Sequence, residues 1–223
     1  DENVSAETLL LKAGDGIGTG DDPITTAVTT LSAHAGAGGI FLFDTAAVTV
    51  GEVAFTVPVV DSDATTPEGL TVNPAQSDLV ATGGDVVDAI TLGLIDARDG
   101  ADLTSAGDVE VISRNGAILD GKALGVTETD IFAQSLRLTA ATVIGSAERV
   151  MDVDALRLTA HAATGMFLAA AGDIRVDEVA GQTGLISTDN GFIGLQGAGS
   201  LTIEEIVTAD GSGNILLTAA EHL

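Results

Sequence analysis

The sequence predicts an all-β fold, a parallel β-helix of roughly ten coils with one Pro-rich loop insertion. Three observations lead there. Hydrophobic residues make up 45% of the 223 residues, yet only 3% are aromatic, with six Phe and neither Tyr nor Trp. A core of Ala, Val, Ile, Leu and Thr suits a narrow, regular interior better than the ring-lined cleft of a typical enzyme. Second, a long segment returns: residues 9–54 align with residues 136–180, and 17 of 45 aligned positions are identical. Third, a shorter beat of 20 to 22 residues runs inside the long one, as LRLTA at Leu136 and again at Leu156, or Leu9 and Leu31. Fixed periods of this size signal a repeat architecture.

Along the chain, the beats are filled by short alternating strings such as IFLF, VTVGEV, VEVIS, LRLTA, IRVDEV and ILLTA. Each has the period of two expected of a strand and is closed by Gly, Asp, Asn or Ala-Gly. Leu9, Leu11, Ile17, Leu31, Phe41, Leu136, Leu138, Ile144, Leu158, Phe167, Ile174 and Val176 are expected to point inward. One stretch, Asp85 to Asp99, has some helical character, but Ile90, Leu92 and Leu94 alternate and favour strands. A beat of 20 to 22 residues is too short for a propeller blade and fits one turn of a β-helix, each coil hydrogen-bonding to the next. Residues 55–84 hold three of the four prolines and break the beat. They read as a loop leaving the rod, so the whole of 1–223 is one segment. With no initiator Met, no basic leader and ILLTA, a close variant of the LxLTA phrase, near its close, the segment reads as an excerpt of a longer repeat protein.

The formal charge of −25 argues against nucleic acid and anionic membranes as partners. The lack of Cys removes disulfides and thiolate chemistry. No apolar run is long enough to span a bilayer.

The run LxLxA…GIGT…TxLxA…GGIFLxDTAxVTVGxV resembles the haemagglutinin-type repeats of very large bacterial adhesins, a family similar to filamentous haemagglutinin. The matching residues are Leu9 to Val53, Gly107 to Gly121 and Leu136 to Leu217. The resemblance implies a right-handed β-helix, an extracellular place at the bacterial surface, and a structural or adhesive role in a fibre. Its implied partners are neighbouring repeats or end-to-end copies, and surface or matrix glycans. The alternative is a β-helical polysaccharide-processing or glycan-binding module, which the lack of Tyr and Trp platforms and of basic clusters disfavours. The chain is therefore expected not to be an enzyme.

Candidate sites are few. Gly14, Gly16, Gly18 and Gly20 superficially follow a phosphate-loop spacing, but no Lys-Ser/Thr follows, and corner glycines explain them. His34 and His161 recur at matching places, which points to architecture. Arg137, Arg157 and Arg175 lie near coil spacing and suggest an exposed ladder pairing with acids. The acidic corners are the metal candidates: Asp15, Asp21 and Asp22 in one loop, and Asp96, Asp99 and Asp102 in another, with Asp in a glycine-bearing loop able to supply oxygens to Ca²⁺. If they bind it, millimolar Ca²⁺ raises the melting temperature and chelation lowers it by mass action. A melting curve indifferent to Ca²⁺ reduces these loops to turns.

Overall fold

The computed structural model describes residues 2–45, 48–60, 67–76, 78–82, 86–91, 94–96, 103–105, 107–114, 116–120, 124–125 and 128–223. Among them no helix occurs. Strands form one large sheet of 22 members, all of whose pairings are parallel, and two separate two-stranded antiparallel sheets.

Parallel pairing joins segments about one beat apart. Val4–Lys12 lies beside Ile24–Ala35 with Leu9 opposite Leu31 and Leu11 opposite Ala33. Ile131–Ala140 lies beside Met151–Ala162 with Leu136 opposite Leu158 and Leu138 opposite Ala160. Each of the two long strands then passes its other edge to three short strands in turn. For Ile24–Ala35 these are Leu42–Asp44, Thr49–Val50 and Leu79–Ala81. For Met151–Ala162 they are Gly165–Ala170, Ile174–Val176 and Leu185–Ser187. The long repeat is thus a repeat of pairing as well as of letters. The stretch with some helical character forms strands, Val86–Thr91 and Leu94–Asp96, in the same parallel sheet.

Alternation turns one row of side chains inward. Leu31, Ile40, Val50, Leu136, Leu138, Ile144, Leu158, Val176 and Ile193 are fully buried and belong to one apolar cluster, against which Leu9 and Leu11 pack. Ile17 and Ile174 are buried there too. Phe41 and Phe167 do not join them. The structure buries Ile40 and Leu42 around the first, and Met166 and Leu168 around the second, leaving both rings half-buried on the opposite face. Where three consecutive residues are apolar, a period of two fits either phase, and a slip of one residue exchanges the faces. Pairing selects the phase: Ile17 lies opposite Ile40 and Ile144 opposite Met166, so the residues that share the interior are those two.

Two corners show why glycine recurs. Gly18 and Gly145, equivalent in the repeats, have φ of 68° and 63°. A Cβ at either would collide with the carbonyl oxygen of Phe41 or Phe167 on the next strand. Left-handed backbone and close approach together demand glycine.

The Pro-rich segment is not an irregular loop. Val53–Val60 and Pro67–Gln76 pair as an antiparallel hairpin with its own sheet, and Leu79–Ala81, within the span expected to leave the rod, rejoins the main sheet beside Ala33–Ala35. The second repeat holds a miniature of it: Glu178–Val179 pairs antiparallel with Gln182–Thr183. Val53 faces Gln76 just as Val179 faces Gln182, with 22 residues between the first pair and two between the second. The short version turns through Ala180 and Gly181, whose φ values are both positive, as a tight primed hairpin requires.

Both hairpins are closed by the same clasp. Gln76 is buried, and its Nε2 donates to the Leu11 carbonyl (3.4 Å) and the Ser32 hydroxyl (3.0 Å). Gln182 is buried, and its Nε2 donates to the Leu138 carbonyl (3.1 Å) and Thr159 Oγ1 (3.3 Å). The hydroxyls donate onward to the carbonyls of Asp78 and Gly184, at 3.1 and 2.8 Å. Asp78 and Gly184 then share a left-handed backbone, with φ of 76° and 71°. Gln182→Ala removes a buried amide and strands its partners. The expected cost is about 1–3 kcal/mol in urea unfolding, whereas a change within experimental error would mean that the clasp is incidental.

Candidate functional site on the outer face of the sheet

The acidic loops come first. Asp15, Asp21 and Asp22 are exposed. The turn that carries the last two is closed by Thr19: its N–H donates to the Asp22 carbonyl, while the Asp22 N–H donates to Thr19 O and Oγ1, at 3.0 to 3.1 Å. The second repeat builds the same ring from Ser146 and Arg149, with Ser146 N–H donating to Arg149 O (2.7 Å) and Arg149 N–H to Ser146 Oγ (3.0 Å). An arginine in place of Asp22 leaves the turn intact, so a hydroxyl and backbone groups shape this corner, not a carboxylate. Asp96 ends the strand Leu94–Asp96, and Asp99 and Asp102 lie outside the described residues. Among the described residues no three acidic or histidine side chains converge as a cation site.

The arginines separate. Arg157 lies opposite Arg175 on adjacent strands, and both are exposed, but Arg137 lies opposite Thr159 and so takes no part in the ladder. Arg137 forms an ion pair with Glu110, which is only 5% exposed. It also donates from Nε to Gln182 Oε1 (3.3 Å) and from Nη1 to the Ala180 carbonyl (3.3 Å), tying the small hairpin to the sheet. His161 donates from Nε2 to the Thr183 carbonyl at 2.9 Å. His34 and His161 face Val80 and Ile186 at matching register, in keeping with an architectural role.

The surface with most character was not evident in the sequence. The strands Gly165–Ala170, Phe192–Gly197 and Ile215–Ala219 lie side by side in register. The pairings align Phe167, Gly194 and Leu216 in one outward row and Ala169, Gln196 and Thr218 in the next, and Asp152 extends the second row opposite Ala169. An apolar row therefore runs beside a polar one across the strands. Phe192 lies beside Phe167, their ring centroids 5.2 Å apart and their planes tilted by 31°. Two adjoining depressions of about 400 Å³ each follow the rows and share Val150 and Gln196. One is lined by the two rings and Leu216; the other is lined by alanines and by Asp120, Glu148, Arg149 and Asp152.

No family model, curated protein or solved structure matches this chain.

The two arginine environments give a direct comparison. Arg137→Ala removes the cation that pairs with the buried Glu110 and is expected to destabilise by about 3 kcal/mol. Arg157→Ala removes an exposed group that donates to Ser135 Oγ (2.8 and 3.1 Å) and is expected to cost less than about 1 kcal/mol. Equal shifts in thermal melting would restore the single three-member ladder.

Proposed function

We propose that the chain is a right-handed parallel β-helix that serves as a structural and adhesive segment of a large secreted bacterial surface protein, extending or assembling into a cell-surface fibre. One observation carries this reading: segments about 22 residues apart pair in parallel with like over like, as Leu9 on Leu31, Leu136 on Leu158 and Ile193 on Ile215. Such pairing has no built-in stop, because each strand offers its successor the edge that it received.

Burial supports the coiled form. A single open sheet has two faces in water, yet the inward row here is almost fully buried, and no helix lies among the described residues to cover it. A sheet that wraps round its own side chains meets both conditions. The resemblance to haemagglutinin-type repeats agrees with the same arrangement. Acidic groups favour a scaffold over a catalyst: Asp44 accepts from Thr26 Oγ1 (2.7 Å) and Val28 N–H (3.2 Å), and Asp130 accepts from Asp152 N–H (2.7 Å), so these carboxylates serve backbone and hydroxyl donors. A purely glycan-binding module is the second reading, favoured by the paired rings on the outer face.

Ile215–Ala219 pairs along one edge with Phe192–Gly197, and Ile215 and Leu216 are 45% and 55% exposed. Further repeats or a second copy would add there in the same register. Electron microscopy and light scattering of the purified chain are expected to show end-to-end rods of constant width, each unit on the order of 50 Å long for ten strands stacked at about 4.8 Å. A compact, heat-stable monomer at high concentration would overturn the fibre-forming reading.

A further inference from the structure

We propose that the two-row strip on the outer face binds a chain of uncharged sugars laid across the strands. The inference deepens the adhesive part of the proposed function and rests on it, naming what the surface grips.

A pyranose ring has a face of C–H groups and a rim of hydroxyls, so a surface that holds it needs an apolar platform flanked by hydrogen-bonding groups. The strip has both. Phe167 and Phe192 are half-buried, so each ring is held by the protein yet keeps part of its surface in water. Gly194 lets the Phe192 ring lie against the strand: a Cβ there would meet its Cε1 at 2.6 Å. The ring is thereby kept low on the sheet instead of standing out from it.

Beside the platform, Gln196 and Thr218 are exposed, and their side chains make no hydrogen bond among the described residues. An amide and a hydroxyl together supply donors and acceptors, the set that a sugar rim requires. Ala169 in the polar row and Ala198 beyond it put small side chains beside Gln196, leaving room there for a ligand. Neighbouring strands repeat at about 4.8 Å, close to the advance of one sugar along an extended chain, so successive rings can meet equivalent positions.

Charge selects among possible occupants. Glu148 and Asp152 outnumber Arg149 beside the strip, within a chain of net charge −25, which repels acidic polysaccharides and anionic lipid. A peptide adding as a strand would lie along the edge of Ile215–Ala219, not across the strip, whose central strand Phe192–Gly197 is paired on both sides. An uncharged, hydroxyl-rich chain remains. With no Tyr or Trp in the chain, the platform is made of Phe167 and Phe192, the first of which points outward.

The test is affinity electrophoresis of the full 223-residue chain in gels containing hydroxyethyl cellulose, laminarin or galactomannan, with polygalacturonate and heparin as acidic counterparts. At least one neutral polymer is expected to retard the protein and neither acidic one. Phe192→Ala and Gln196→Ala are each expected to weaken that retardation about tenfold, the scale of one lost ring or polar contact. Gln196→Ala should leave the melting temperature unchanged, so it carries the test if Phe192→Ala does not fold, and Arg157→Ala should migrate as the parent. Absence of retardation by every neutral polymer, equal retardation of parent and Gln196→Ala, or retardation by the acidic polymers overturns the proposal. Rod formation seen by electron microscopy is read independently, so the fibre and the sugar site fail separately.

Discussion

Short strands create the problem that the rest of this molecule solves. Elements such as Gly16–Ile17, Thr49–Val50 and Val143–Ile144 are two residues long and cannot satisfy their own backbone groups. Each is stable only because another strand, about a beat away, presents the complementary edge. Parallel stacking of like on like then governs composition. Side chains in one inward row must fit over their counterparts, which favours Leu, Ile, Val and Ala and leaves little room for rings. Corners must bring one backbone against the next, which fixes Gly18 and Gly145.

The same constraint explains the corner polar residues. Asn3 Oδ1 accepts from Thr25 N–H at 2.8 Å, Asn190 Oδ1 from Ser212 N–H at 2.8 Å, and Asp173 Oδ1 from Ser200 N–H at 2.6 Å. In each case a side chain outside the strands reaches a backbone N–H 22 to 27 residues on, in a strand for Thr25 and in the connecting segments for Ser212 and Ser200. Part of the Asp and Asn content is therefore consumed in linking layers. Others, such as Asp15, Asp21 and Asp22, face water and add to the charge.

Legibility in the sequence followed locality. The inward leucines, the recurring glycines and the paired strands were readable because each repeats at a fixed interval. Phe41 and Phe167 were misread because their neighbours are equally apolar and only the partner strand sets the phase. The clasp was hidden because Gln76 and Gln182 fall outside the aligned stretch and match only when hairpins of very different length are superposed. The outer strip was invisible for a related reason: Phe167, Gln196 and Thr218 lie far apart in the chain and become neighbours only through pairing. Arg137 matched the arginine spacing, but a shift of two positions along the strand sent it to Glu110.

The clasped hairpins carry a wider consequence. Because Gln76 and Gln182 make the same kind of bond to the sheet, an excursion of 22 residues in one repeat and a turn of two in the other rejoin it alike. Both excursions return to matching register, with Leu79 opposite Ala33 and Leu185 opposite Ala160. The length of what leaves the sheet and the register of what returns to it are thus separate degrees of freedom.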